Sequence, residues 1–527
     1  MGKLWFGGTI YPMTGEGETV EAIFTKDGKI VETGHKDELQ NKYNEEIDET
    51  VPFEGVLFPG FIDSHLHIIG HGEKLLRLDL SDIHSRQDVI NKVHNAIQNV
   101  KGEQWIIGEG FNENNWDEPT FIHKEELDEI TGGNPVILTR VCRHALVANS
   151  KVMDLAGVNE QTQDVPGGVI ERDSYGYLTG AFHDQAQDLI KEKMPVPSIS
   201  FLEHAIETSI NDLLSHGIVS GHSEDLSYYG GFKKTFDAFN HVIPTKQFFR
   251  AHLLVHHDAV DDLHHEGYRP SEIDDWLEFG AMKLFVDGAL GGRTALLSEP
   301  YSDDSTRKGV SIHTDQQLEG LVMKARNYHM PIAVHTIGDQ AVEKIVRLIE
   351  KYPPPQNTKD RIIHAQIMRP DLIERLKELP IIIDVQPTFV ASDFPWVVDR
   401  VGQERASQSY PWKTYMDEGI LCAGGSDAPI EEVDPLLGID AAVNRRSAYD
   451  GQTYYEHERL SVYEAFCLYT VNPAKVINKE GVQGQLKRGF FADFVVLDHD
   501  PFKIDQSKLS TLNVNMTIVN EKIVYKR

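Results

Sequence analysis

Eight apolar runs recur along the chain with helix-spaced stretches between them, and this rhythm limits the fold more than any other feature. The runs occupy residues 56–62, 217–220, 247–255, 281–286, 330–334, 361–363, 381–385 and 420–424. Stretches 201–215, 314–329, 339–351 and 370–379 carry apolar residues at helical spacing. Short apolar runs alternating with amphipathic helices are the pattern of parallel βα units. Eight such units predict an α/β fold, a (β/α)8 TIM-like barrel whose active site lies at the C-terminal ends of the strands.

The chain has 527 residues, 40% of them hydrophobic, enough for one large domain with additions. Residues 3–34 alternate apolar and polar around turns at Gly15-Glu16-Gly17 and Asp27-Gly28, and 484–498 and 513–525 read the same way. Head and tail are therefore expected to share a small β-sandwich, 1–55 plus 483–527, beside a barrel of 56–482. About 155 residues separate the first run from the second, far more than a βα connection needs. That stretch reads as an insertion, about 68–200, leaving the C-terminal mouth of strand one and placed to cover the active site.

Five of the strand ends carry metal-ligand side chains. Lys283 sits inside Ala281-Met282-Lys283-Leu284-Phe285-Val286, where a lone ammonium is costly unless paired or chemically changed. The others are His65 and His67 in Asp63-Ser64-His65-Leu66-His67, His335 after Ile332-Ala333-Val334, His364 after Ile362-Ile363, and Asp427 in Gly425-Ser426-Asp427. With 24 histidines, about one His-x-His pair arises by chance, so the strand-end position is what gives the motif weight. At i and i+2 on a strand both imidazoles point the same way.

Each residue alone has an ordinary alternative: a core histidine, a helix N-cap for Asp427, an ion pair to Asp287 for Lys283. Together, at one end of one barrel, they point to a metal site. A buried lysine with a lowered pKa has a neutral amine, which can take up carbon dioxide to give a carbamylated Lys283 that bridges two ions. His65, His67 and Asp427 are expected to hold one divalent metal, and His335 and His364 the other, with zinc suiting these ligands. Two such ions sharing a hydroxide would attack an amide-like bond, with Asp427 as general base.

A formal charge of −31 argues against nucleic acid and anionic membrane surfaces as partners. No run approaches the length needed to span a bilayer. Cys142, Cys422 and Cys467 lie far apart and form neither a disulfide framework nor a thiolate metal site, which fits a cytoplasmic location. A homodimer is the commonest assembly for a soluble enzyme.

These motifs, with Lys283-Leu284-Phe285-Val286-Asp287-Gly288-Ala289-Leu290-Gly291-Gly292-Arg293-Thr294, Val334-His335-Thr336-Ile337-Gly338-Asp339 and Gly425-Ser426-Asp427-Ala428-Pro429, resemble the amidohydrolase superfamily. Within it they resemble the YtcJ-like branch that includes N-substituted formamide deformylases. The resemblance implies a metal-dependent hydrolase of non-peptide carbon–nitrogen bonds in a small molecule. It also places Trp116, Arg140, His144 and Arg293 near the mouth as substrate-binding candidates, with His222 after strand two as another. One departure is Ile363, where many relatives carry Glu. Two competing readings are a mononuclear deaminase of the same superfamily, which leaves Lys283 structural, and a metal-free scaffold protein.

Overall fold

The structure is a computed structural model that describes every residue except 1, 82, 99–104, 114, 115, 117–119, 141–144, 166, 167, 195 and 271–273. Eight parallel strands form its central sheet: β1 (Phe61–Leu66), β2 (Ile218–Ser223), β3 (Arg250–His256), β4 (Leu277–Phe285), β5 (Ile332–Thr336), β6 (Asp360–His364), β7 (Ile381–Val385) and β8 (Leu421–Gly424). Each pairs with the next in sequence order, the arrangement of a (β/α)8 barrel. Their interior is lined by buried residues such as Leu254, Ala281, Ala333 and Ile363.

The seam between β8 and β1 is not a ladder. It is closed beyond the strand ends, where the Asp427 N–H donates to the His65 carbonyl (2.7 Å) and the His67 N–H to that of Ala428 (2.8 Å). Asp63 adds to it, its carboxylate accepting from the Ser426 N–H (3.0 Å) and hydroxyl (2.6 Å).

The run 56–62, expected as one barrel strand, is two. Val56–Pro59 pairs antiparallel with Phe494–Leu497 and parallel with Gly2–Ile10, and so belongs to a separate eight-stranded sheet drawn from both ends of the chain. Gly60 marks the break, because a Cβ there would lie 2.5 Å from Val219 Cγ1, and the barrel strand starts at Phe61. Trp5, Ile23, Val51, Leu57, Phe494 and Met516, from strands across that sheet, share one apolar core.

The chain divides into two compact units, Met1–Gly72 with Ser198–Arg527, and Glu73–Pro197. The second unit has its own six-stranded sheet, in the order Gly168–Arg172, Leu178–Asp184, Ala145–Ala148, Val136–Arg140, Ile106–Phe111 and Leu78–Asp79. Two apolar clusters, one around Phe111 and Leu138 and one around Leu146 and Phe182, give it a core of its own. Among the described residues no helix is long and apolar enough to cross a membrane.

Candidate metal centre

The C-terminal ends of β1, β4, β5 and β6, with the loop after β8, bring together His65, His67, Lys283, His335, His364 and Asp427. Lys283 is buried, 1% exposed, with Nζ 3.4 Å from His65 Nε2 and 4.6 Å from the Phe285 ring centroid. Asp427 Oδ1 lies 3.4 Å from His65 Nε2 and 3.5 Å from His67 Nε2. His364 Nε2 is 3.0 Å from His335 Nδ1, and the His65 and His364 ring centroids are 5.9 Å apart. His364 (φ 77°) and Asp427 (φ 57°) both hold left-handed backbone conformations, which cost a non-glycine residue and concentrate at functional sites.

Electrostatics prepare these groups as donors. Burial pushes the Lys283 ammonium below its ordinary pKa, against the pull of Glu224 and Asp427. Burial lowers His65 well below the usual imidazole value, with Lys283 adding to the effect, and lowers His335 likewise, with His364 adding. His364 is lowered by burial too. Three imidazoles are thus neutral at pH 7, as ligands must be. His67 differs: burial works against a proton there, but the hydrogen bond to Asp427 and the charges of Glu224 and Asp427 outweigh it and raise the pKa to about 9. Burial acts to raise the Asp427 pKa, and the His67 hydrogen bond together with His364, His67 and Lys283 outweighs it, so the carboxyl sits below its ordinary value.

The spacing itself fits a cation. Donor atoms about 2.0–2.1 Å from a tetrahedral ion are about 3.3 Å from one another. The 3.4 and 3.5 Å separations around Asp427 Oδ1 and His65 Nε2 match that edge without rearrangement.

Groups behind the cluster hold it in place, and of them the sequence reading named only Asp287, as an ion-pair partner for Lys283. The Glu224 carbonyl lies 2.6 Å from His67 Nδ1, and Gln386 Oε1 lies 2.8 Å from His364 Nδ1, which leaves each Nε2 facing inward. Asp287 accepts N–H bonds from Leu296 (2.8 Å), Ile337 (3.0 Å) and Gly338 (2.8 Å), tying the loop after β4 to the end of β5. Deeper in the barrel, Arg361 Nε donates to Asp384 (2.8 Å) and a second guanidinium nitrogen to the Ser64 carbonyl (2.5 Å). No spacing rule couples residues this far apart in sequence.

Residues 54–525 match the amidohydrolase family. The chain belongs to that family. YtcJ of Bacillus subtilis (strain 168) is 46% identical over 535 residues, spanning 100% of both chains. An N-substituted formamide deformylase from Arthrobacter pascens is 25% identical over 534 residues, 96% of this chain and 95% of the relative. A metal-dependent hydrolase from Pyrococcus furiosus superposes with a TM-score of 0.82 at 30% identity, covering 95% of this chain and 100% of that one. As an amidohydrolase, the protein is a hydrolase of carbon–nitrogen bonds.

The expected substrate residues of this amidohydrolase are placed less closely. His222 lies within β2 rather than after it, fully buried, with its ring centroid 5.0 Å from that of His252. Arg293, in the loop after β4, is held by Asp303 through Nε (3.1 Å) and a terminal nitrogen (2.8 Å). Trp116 packs in the core of the unit Glu73–Pro197, with Nε1 donating to the Ile83 carbonyl (3.1 Å). Arg140, in the same unit, makes a two-pronged ion pair with Glu113 at 2.8 and 3.0 Å. His144, like Cys142, falls outside the described residues.

Proposed function

We propose that this amidohydrolase releases an amine from an N-acyl or N-formyl small molecule at a two-metal centre. The observation that carries the reading is the cluster of Lys283 Nζ, His65 Nε2, His67 Nε2 and Asp427 Oδ1, linked by separations of 3.4 to 3.5 Å at the mouth of the barrel. His65, His67 and Asp427 would hold one ion, His335 and His364 the other, with zinc favoured by imidazole and carboxylate donors. Bound there, divalent ions polarise a carbonyl and acidify water.

The chain's own groups supply the rest. Lys283, with its pKa lowered by burial, offers a neutral amine. Its lone pair adds to the carbon of carbon dioxide as one C=O π pair moves to oxygen and one N–H proton passes to solvent, and the resulting carbamate anion would offer two oxygen donors to divalent ions. Asp427 Oδ1, set between His65 and His67, takes the proton of the attacking water and delivers it to the leaving nitrogen. The Glu224 carbonyl and Gln386 keep His67 and His364 turned toward the reaction. The named activity of the Arthrobacter relative, on N-substituted formamides, supports a small acyl group. A cytoplasmic location is part of the proposal, on the wide spacing of the three cysteines.

The test is metal content per chain by plasma mass spectrometry, on protein purified with bicarbonate and without chelator, alongside Lys283→Ala. About two ions in the wild type and the loss of at least one in the variant, with partial rescue by a short carboxylic acid, is the expected result. Unchanged metal in Lys283→Ala would remove the bridge, and one ion per wild-type chain would favour a mononuclear deaminase. With two ions confirmed, N-formyl and N-acyl amines are the substrates to screen.

A further inference from the structure

Just past β3, a second group of donors adjoins the catalytic cluster, the His257 N–H donating to the Lys283 carbonyl (3.1 Å), and shares no side chain with the six residues assigned there. His256, His257 and Asp258 each offer one ligand atom, all within 4.8 Å of one another. His257 Nδ1 lies 3.0 Å from Asp258 Oδ1, and His256 Nδ1 lies 3.6 Å from Asp258 Oδ2. These values bracket the roughly 3.3 Å edge of a tetrahedral site. His313, next to the helix Asp315–Asn327, brings a third imidazole to the group, its ring centroid 5.5 Å from that of His257. His313 Nε2 is shut off from solvent without a hydrogen-bond partner, a costly arrangement that a ligand would relieve.

His256 Nδ1 accepts from the Asp258 N–H (3.3 Å), which holds that ring against Asp258. Two lysines neighbour this cluster: Lys324, whose ammonium is engaged by Asp261 (2.8 Å) and by the His257 carbonyl (3.0 Å), and Lys283, paired with His256 on the adjoining strand. Asp258 is 73% exposed, which leaves an entry path from solvent.

We infer that His256, His257 and Asp258, with His313 beside them, form an exchangeable divalent-cation site that uses none of the catalytic ligands and takes a borderline ion such as Zn2+. Imidazole and carboxylate donors suit that class of ion. Solvent access through Asp258 makes the ion exchangeable, in contrast to one held behind the buried Lys283.

The experiment is equilibrium dialysis of the full chain against stepped concentrations of free Zn2+, with bound zinc counted by plasma mass spectrometry. Wild-type protein is expected to bind one ion beyond its tightly held set. His256→Ala and His257→Ala should lose that ion or bind it about tenfold or more weakly while keeping the tight set. Asp258→Asn, on an exposed side chain with little structural role, should weaken it in the same direction, so the test survives a folding defect in either histidine variant. Lys283→Ala should retain the extra ion, which separates this site from the catalytic centre. No extra ion in the wild type, or isotherms for all three variants that superimpose on it, would overturn the inference.

Discussion

At the scale of the residue, His67 ties metal binding to pH. Its pKa is raised to about 9, so at neutral pH a proton sits between it and Asp427. A cation bound there must expel that proton. Affinity for zinc should therefore rise with pH up to about 9 and level off above it, with a slope of at most about one decade per pH unit. Calorimetry in two buffers of different ionisation heat should show about one proton released per ion at this position at pH 7.5. Affinity that is flat from pH 7 to 9 would show that His67 surrenders no proton. Asp427→Asn keeps an oxygen ligand but cannot accept a proton, so kcat should fall by about 10²–10⁴ with most metal retained. A rate within threefold of wild type would remove Asp427 as the base. The residues of the clustered site are legible in sequence because each lies in or just past the end of an apolar run. Glu224 and Gln386 are not, since one reaches His67 from 157 residues away and the other acts only because β6 and β7 are neighbours.

At the scale of the element, the barrel lacks a strand ladder at the seam between β8 and β1. Asp63 binds it through the Ser426 N–H and hydroxyl and the His65 N–H. Gly425 makes room, since a Cβ there would lie 2.6 Å from the His65 nitrogen and 2.8 Å from Asp63 Oδ1. Asp63→Ala strands these buried donors, and a stability loss of about 2–4 kcal/mol is expected. Because Asp427 follows Ser426 directly, the same variant should also lose metal, which mass spectrometry would read beside the melting temperature. Normal melting with normal metal content would mean that the backbone bonds of Asp427 and His67 close the seam unaided. Seven of the eight barrel strands were legible as single apolar runs, although 217–220 and 281–286 cover only about half of β2 and β4, because β-branched and apolar residues bounded by polar ones mark buried parallel strands. The first was not, because 56–62 is apolar throughout and only the close approach of Val219 to Gly60 shows where one sheet ends and the other begins.

At the scale of the whole molecule, the sheet formed by the chain ends is fastened to the barrel by a buried ion pair. Arg250, on β3, donates to Asp493 through Nε (2.7 Å) and a terminal nitrogen (3.3 Å), while Asp493 Oδ1 also accepts from the Asn520 N–H (2.8 Å). The guanidinium carbon lies 3.6 Å from the Phe491 ring centroid and 4.4 Å from that of Trp276. Arg250 and Asp493 are 5% exposed each, so removing one partner leaves the other charged and unpaired in a poorly solvated place. Asp493→Ala should therefore cost about 3–5 kcal/mol, while replacing both with apolar residues of similar size, Arg250→Met with Asp493→Leu, should recover much of that loss. Urea midpoints of the two single variants and the double variant, taken as a cycle, give the coupling directly. If each single variant costs less than about 1 kcal/mol, the join rests instead on the packing of Val495 against Gly217 and on the Thr517 hydroxyl donating to the Leu214 carbonyl (2.6 Å). A large coupling would mean that the ends of the chain are held to β3, one strand from Lys283, by a charge pair whose loss should loosen the candidate metal centre as well as the sheet.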